Sequence, residues 1–197
     1  MNIGFLGKMR SGKSTCAEYI KKNYNYEEKF FAESLKYIIQ YLFKFSDEQL
    51  YGNDKQKIDE YWGISARQAM QYIGTNLFRE QMDKLIPGIS ESFWITVLER
   101  ELNKNKNYVF SDCRMQNEID FIKKFGNHGG IIVKIIRPQK EVEERDILKE
   151  DHTLSHKTES NIDEVKGYDY VIINDGTKED LYKKLDDLML IITNNIV

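Results

Sequence analysis

Gly7-Lys8-Met9-Arg10-Ser11-Gly12-Lys13-Ser14 fills every fixed position of the pattern G-x-x-x-x-G-K-[ST], and Thr15 follows directly. These residue types at this spacing can hold a string of phosphates. Two glycines let the chain curl until successive backbone N–H groups point inward. A helix starting near Lys13 adds the positive end of its dipole. Lys13 can reach terminal phosphate oxygens, and the Ser14 hydroxyl is a hard oxygen ligand for Mg²⁺. The bare pattern also turns up in ordinary surface turns. Here the apolar run "NIGFLG" (2–7) precedes it and the helical pattern "KSTCAEYIKKNY" (13–24) follows, the context that phosphate binding requires. ATP held as its Mg²⁺ complex by residues 7–15 is the expectation.

Water-activating nucleotidases often place an acid just after a strand-end aspartate. Asp112, the best carboxylate for the Mg²⁺ side, is followed instead by Cys113 and Arg114. A guanine-reading N-K-x-D is also missing, because "NDGT" (174–177) lacks its lysine. Both absences weigh against a switch or a motor and favour a small kinase. Such an enzyme needs the loop, an acceptor pocket and arginines that neutralise two facing phosphates. Arg10 lies in the loop and Arg67 on a helical pattern; Arg114 and Arg137 follow strand patterns, and Arg145 falls in a charged stretch. Any one of them could be a solvated surface charge. Strand C-termini converge on the crevice of a doubly wound sheet, however, which favours Arg114 and Arg137 as phosphate partners. Lys13, Arg10, Asp112 and Arg137 form the expected catalytic set, with Ser14 and Asp112 on the metal. Asp112 could equally orient the acceptor, and for an alcohol acceptor it could act as general base.

The elements that must position these residues read as alternating strands and helices, the signature of a parallel sheet wrapped on both faces. Strands are predicted at 2–7, 28–32, 108–112, 130–138 and 168–173, and helices at 13–24, 34–45, 65–83, 92–104, 115–125 and 177–192. Residues 46–63 read as irregular or partly helical. Ser65 and Gln68 have capping-box spacing, and Ala66, Ala69, Met70, Ile73 and Leu77 form one apolar stripe. Arg67 and Gln71 are i, i+4 neighbours on that helix, with Gly74 leaving an opening one turn on.

The chain has 197 residues, 29 Lys+Arg against 32 Asp+Glu and a formal charge of -3, which argues against a protein that coats nucleic acid. Cys16 and Cys113 form no metal-binding or redox motif and read as reduced thiols. No apolar run is long enough for a signal peptide core or a membrane span, so a soluble cytoplasmic protein is expected.

Several motifs occur in an order that resembles the phage-type deoxynucleoside monophosphate kinases of the P-loop nucleotide kinase superfamily. "GKMRSGKST" resembles the family's loop, and "RQAMQYIGTNLFRE" (67–80) its R-x-x-M-Q-x-x-G-T-x-L helix. "FW" (93–94) follows at a similar interval, and "SDCRMQNEIDFI" (111–122) is similar to its strand-end D-x-R-x-x-x-E element. "GGIIVKIIRP" (129–138), "HKTE" (156–159) and "DYVIINDGTKEDLYKKL" (169–185) complete the series. Leu154 departs from it, standing where the family often has aspartate.

The resemblance implies a single α/β kinase domain over 1–197, with a parallel sheet of about five strands in the order 2-3-1-4-5. It also implies a helical acceptor-binding region near 33–105 and a lid near 138–166. ATP would pass its γ-phosphoryl group to a dNMP. Arg67, Gln71, Thr75, Arg114, Glu118, His156 and Glu159 would contact the acceptor, and Asn174, Asp175 and Gly176 would pack the adenine. Other readings stay open: a kinase of another small metabolite such as dephospho-coenzyme A or a shikimate-like alcohol, and a nucleotide-binding regulator without phosphotransfer. No nucleic-acid or membrane partner is implied, and a homodimer is compatible with the sequence without being specified by it. A viral chain would work in the host cytoplasm.

Overall fold

The structure, a computed structural model, describes residues 1–138 and 165–194. In chain order its regular elements are β1 (Asn2–Leu6), α1 (Lys13–Asn23), β2 (Glu27–Lys29), α2 (Glu33–Phe43), α3 (Asp47–Leu50) and α4 (Ala66–Gln71). A π-helical segment, Tyr72–Arg79, continues α4 and is followed by α5 (Phe93–Glu99) and β3 (Tyr108–Cys113). Then come α6 (Gln116–Lys124), β4 (Gly130–Ile136), β5 (Tyr170–Ile173) and α7 (Lys178–Asn194). Two compact units result: Met1–Phe30 with Asn103–Val197, and Phe31–Leu102.

In the first unit all five strands pair in parallel, in the order β2-β3-β1-β4-β5. This is the expected doubly wound arrangement. β1 is central and buried along its whole length, as its unbroken apolar run requires. Its side chains alternate between two faces. Ile3 and Phe5 join Val109, Val133, Ile135 and Ile172 in a core covered by Cys16, Ala17 and Ile20 of α1 and by Leu181, Leu185, Leu188 and Ile192 of α7. On the other face, Gly4 lies against Ile122 of α6, Ile132 and Cys113. Tyr19 and Tyr24 of the α1 end both donate to the Asp186 carboxylate of α7, at 2.8 and 2.5 Å. Both cysteines are free and buried; burial pushes the Cys16 thiol up to about 12 and Cys113 well up too, so neither is a thiolate near neutral pH.

One boundary differs from expectation here. β2 stops at Lys29, where its pairing with Phe110 ends, and does not run on to residue 32. The aromatic residue Phe31, which made that stretch look like a strand, is buried in the second unit.

The second unit packs Leu35, Ile39, Phe45, Leu50, Ala66, Ala69 and Trp94 into its own core. α4 begins as predicted, with Ser65 and Gln68 satisfying one another's backbone N–H groups. The regular helix expected to residue 83 instead widens at Tyr72 into i→i+5 geometry. That widening moves the apolar stripe on by one residue. Leu77 is 43% exposed, and Phe78 turns inward in its place, with ring centroids 4.7 Å from Phe93 and 4.9 Å from Trp94. Trp94 Nε1 donates to the Gly74 carbonyl at 3.0 Å, a donor inserted beside the helical ladder. The helix predicted over 92–104 ends at Glu99, where the chain tightens into short turns at Leu98 and Glu99.

Leu185 is fully buried beneath the sheet and Leu190, on the same helix, is 63% exposed. Leu185→Ala should lower unfolding free energy by about 2–5 kcal/mol through transfer and cavity terms. Leu190→Ala should change it by no more than about 0.5 kcal/mol. Urea denaturation of the two variants checks this directly.

Candidate functional site

The loop between β1 and α1 has the backbone that inward-pointing amides need. Gly7 has φ 154°, Arg10 φ 60° and Gly12 φ 110°. The glycines are also sterically required. A Cβ on Gly7 would lie 2.4 Å from the Ile135 carbonyl oxygen, and one on Gly12 would lie 2.6 Å from Asn174 Nδ2.

At its far end α1 starts on Gly12 with no side-chain cap and no acidic residue in its first turn. The first N–H groups of a helix have no intrahelical partner. Here neither a side-chain cap nor a carboxylate of the first turn offsets that positive end. Lys13 reinforces it: its ammonium is buried and donates to the Gly7 and Lys8 carbonyls, both at 2.6 Å. Ser14 is exposed at the helix start and Thr15 half-buried. Met9 and Arg10 are exposed at the tip of the loop, and Lys8 is half-buried. Ser11 is buried and closes a turn by donating its N–H to the Lys8 carbonyl, 3.2 Å away.

The strand ends of the same unit carry the other predicted residues. Asp112 is half-buried near the end of β3. The neighbouring Ser111 Oγ donates to Glu28 Oε1 at 3.0 Å, linking β3 to β2. The Glu28 carboxyl is raised above the usual carboxylate range, chiefly by burial; the Ser111 hydrogen bond and Lys21 oppose the shift, and Asp112 and Glu18 add to it. Glu28 was missed by sequence reasoning; it is the middle residue of the three-residue β2, where no pattern marks it.

Arg114 and Arg137 are half-buried just past β3 and β4. Glu118 is buried, and its Oε2 accepts from the N–H groups of Arg114 (2.8 Å) and Met115 (3.2 Å), so it fixes the turn that carries Arg114. Asn174 is buried at the end of β5, with Nδ2 donating to the Ser11 carbonyl at 2.8 Å. Asp175 and Gly176 are exposed; Asp175 pairs with Lys184 at 2.8 Å, which holds its carboxyl low.

Hard oxygen donors suit Mg²⁺, and Ser14 and Asp112 supply them. Among the described residues no three His, Cys, Asp or Glu side chains gather into a metal cage. Mg²⁺ does not need one, since it is commonly held by one or two carboxylates together with substrate phosphates and waters.

In the second unit, Arg67, Gln71 and Thr75 are all half-buried along α4 and the π-helical segment, and so is Arg79, which sequence reasoning did not single out. The opening expected at Gly74 is filled: a Cβ there would lie 2.5 Å from Leu35 Cδ2. His156, Glu159, Arg145 and nearly all of the expected lid lie outside the described residues.

Residues 45–185 match the sequence profile of the family described as deoxynucleotide monophosphate kinase. A protein of Acanthamoeba polyphaga mimivirus named "Putative deoxynucleotide monophosphate kinase" is 36% identical over 192 residues, covering 93% of each chain. The deoxynucleotide monophosphate kinase of Enterobacteria phage T4 is 23% identical over 140 residues, spanning 68% of this chain and 48% of its own length. Among solved structures, shikimate kinase from Aquifex aeolicus aligns at 18% identity with a TM-score of 0.47, covering 100% of this chain and 98% of its own.

The raised carboxyl of Glu28 has a consequence for stability. Its folded-state pKa lies above the unfolded value, so its contribution is fully present below the unfolded value and is lost as pH rises through the folded one. Glu28→Gln removes that dependence. Relative to the parent, the variant should gain in urea midpoint as pH is raised from about 4, then level off above the shifted pKa.

Proposed function

The chain belongs to the deoxynucleotide monophosphate kinase family, and we propose that it transfers the γ-phosphoryl group of ATP to a deoxynucleoside monophosphate, giving the diphosphate. The observation that carries the reading is the uncapped start of α1 behind a glycine-curled loop with a buried lysine. In this reading the backbone amides of residues 7–15 hold the phosphates of ATP. Lys13 and Arg10 balance charge on the transferred group, and Arg137 adds a second guanidinium. Ser14 Oγ and the Asp112 carboxylate would hold Mg²⁺, which when bound neutralises charge between the β- and γ-phosphates.

The acceptor is assigned to Arg67, Gln71 and Thr75 with Arg114. Arginine suits a monophosphate because its planar fork matches two oxygens, and the Gln71 amide can donate to and accept from a base edge. Glu118 serves by holding the Arg114 turn. Asp175 and Gly176 are assigned to the adenine side of ATP, and His156 and Glu159 to closure of a lid over 138–166. An attacking phosphate oxygen is already anionic, so no general base and no covalent intermediate is needed. Catalysis is positioning and charge stabilisation. The near-neutral formal charge of -3 supports a small-molecule reaction over nucleic-acid binding. Among the described residues no helix is long and apolar enough to cross a membrane, which agrees with work in the cytoplasm, that of the host for a viral chain.

A coupled assay of ADP release, with each of the four dNMPs supplied singly, tests the reading. Release should require an acceptor, and ADP formation indifferent to every acceptor would sink it. Lys13→Ala should lower kcat by about 10²-fold or more, the scale of losing one preorganised charge partner of the transition state.

A further inference from the structure

Asn174 stands among the residues expected at the adenine, yet its side chain is turned elsewhere. Asn174 is only 8% exposed, and among the described residues its side chain makes one hydrogen bond, from Nδ2 to the Ser11 carbonyl at 2.8 Å, which is buried and joins segments 163 residues apart. Its own backbone N–H donates to the Ile136 carbonyl at 2.7 Å, which ties its position to the end of β4. Gly12 presents its bare α-carbon to the same amide, since a Cβ there would lie 2.6 Å from Nδ2.

We propose that Asn174 is a positioning residue for phosphate binding, fixing the orientation of the Ser11–Gly12 peptide. A trans peptide is planar, so its C=O and N–H point in opposite directions. A carbonyl anchored on the Asn174 side turns the Gly12 N–H to the side away from Asn174. In a loop whose function is to aim amides at an anion, one flipped peptide replaces a donor with a carbonyl oxygen. Gly12, at φ 110°, lies in a region where glycine flips with little steric resistance. The neighbouring turn from Ser11 N–H to Lys8 O, at 3.2 Å, constrains the preceding peptide and leaves this one to Asn174. The carbonyl of Gly12 is engaged by the Cys16 N–H at 3.0 Å, which fixes the peptide that follows.

The inference rests on the reading that residues 7–15 bind the phosphates of ATP, and its test separates the two. KM for ATP, KM for the dNMP, and the inhibition constant of Mg²⁺-tripolyphosphate as a competitor of ATP are measured for the parent, Asn174→Ala and Asn174→Ser. Serine is too short to reach the Ser11 carbonyl. Both variants should weaken ATP and tripolyphosphate alike, by about tenfold, the scale of one lost buried hydrogen bond, with KM for the dNMP unchanged. These constants do not depend on how much enzyme is active, so a partly unfolded preparation still reports them.

An adenine contact predicts a different outcome: ATP weakens while tripolyphosphate binds as before. That result overturns the proposal, as does an unchanged pair of constants or an equal loss of affinity for the dNMP. If tripolyphosphate fails to compete even in the parent, the phosphate-loop reading falls and this inference with it.

Discussion

An uncapped helix start is the constraint on which the first unit is built. Most helices satisfy their first N–H groups with a side chain, at a gain of about 1 kcal/mol. α1 forgoes this: Gly12 offers no side chain and the first turn has no acid. The loop must then be held open by other means. The surrounding sheet does it, with the Ile135 carbonyl behind Gly7 and the Asn174 amide behind Ser11. Lys13 spans the loop from inside by donating to Gly7 and Lys8. The central place of β1 between β3 and β4 explains why the loop can be rigid, since its stem is paired on both edges.

Burial decides where charge can sit around this loop. Tyr108 to Ser111 of β3 are buried without a break, as are Ile132 and Val133 of β4. A charge enclosed within such strands would be costly, so charged side chains sit more cheaply at the C-terminal ends. Half-buried Asp112, Arg114 and Arg137 stand at or just past those ends. Glu28, in the middle of the short edge strand β2, is half-buried, and the Ser111 hydroxyl offsets part of its burial. The formal charge of the whole chain says little about such a site, because it averages over solvated lysines and acids far from the strand ends.

Much of this could be read from residue order. The apolar runs located β1, β3, β4 and β5, the loop pattern located the amide cradle, and Ser65 with Gln68 located the start of α4. The strand order came through resemblance, since apolar runs alone do not say which strands are neighbours. Other features had no readable signal. β2 is a three-residue edge strand, Glu-Glu-Lys, with no alternating pattern, and Phe31, which follows it, belongs to the other unit. A glutamate such as Glu118 reads equally well as a ligand or as a brace for backbone amides, and only the fold shows which atoms its carboxylate meets. Asn174 is the same kind of case, because sequence places it on a loop without saying which way its amide turns.

The π-helical segment was invisible for a related reason: a search for a 3.6-residue period assumes the geometry it is looking for. In an α-helix each residue advances about 100°, so a four-residue step overshoots a full turn by about 40°. Residues at i, i+4, i+8 and i+12 therefore drift around the cylinder. In i→i+5 geometry each residue advances roughly 80°, and the same step falls short by roughly 30–40°. An α-helical step from Arg67 to Gln71, followed by a π-helical step, brings Thr75 back close to the line of Arg67, and the second π-helical step carries Arg79 roughly 20–40° to the other side. The four residues are held within roughly 60–80° of the cylinder, where a uniform α-helix would fan them over about 120°, and all four are half-buried. The cost appears on the opposite register, where Leu77 is pushed into solvent and Phe78 must take over the contact with Phe93 and Trp94. A uniform α-helix would have kept Leu77 on the apolar stripe and fanned the row from Arg67 to Arg79 over about 120°. The widened helix trades one buried leucine for a narrower polar row, and the exposure of Leu77 is the cost of that narrowing.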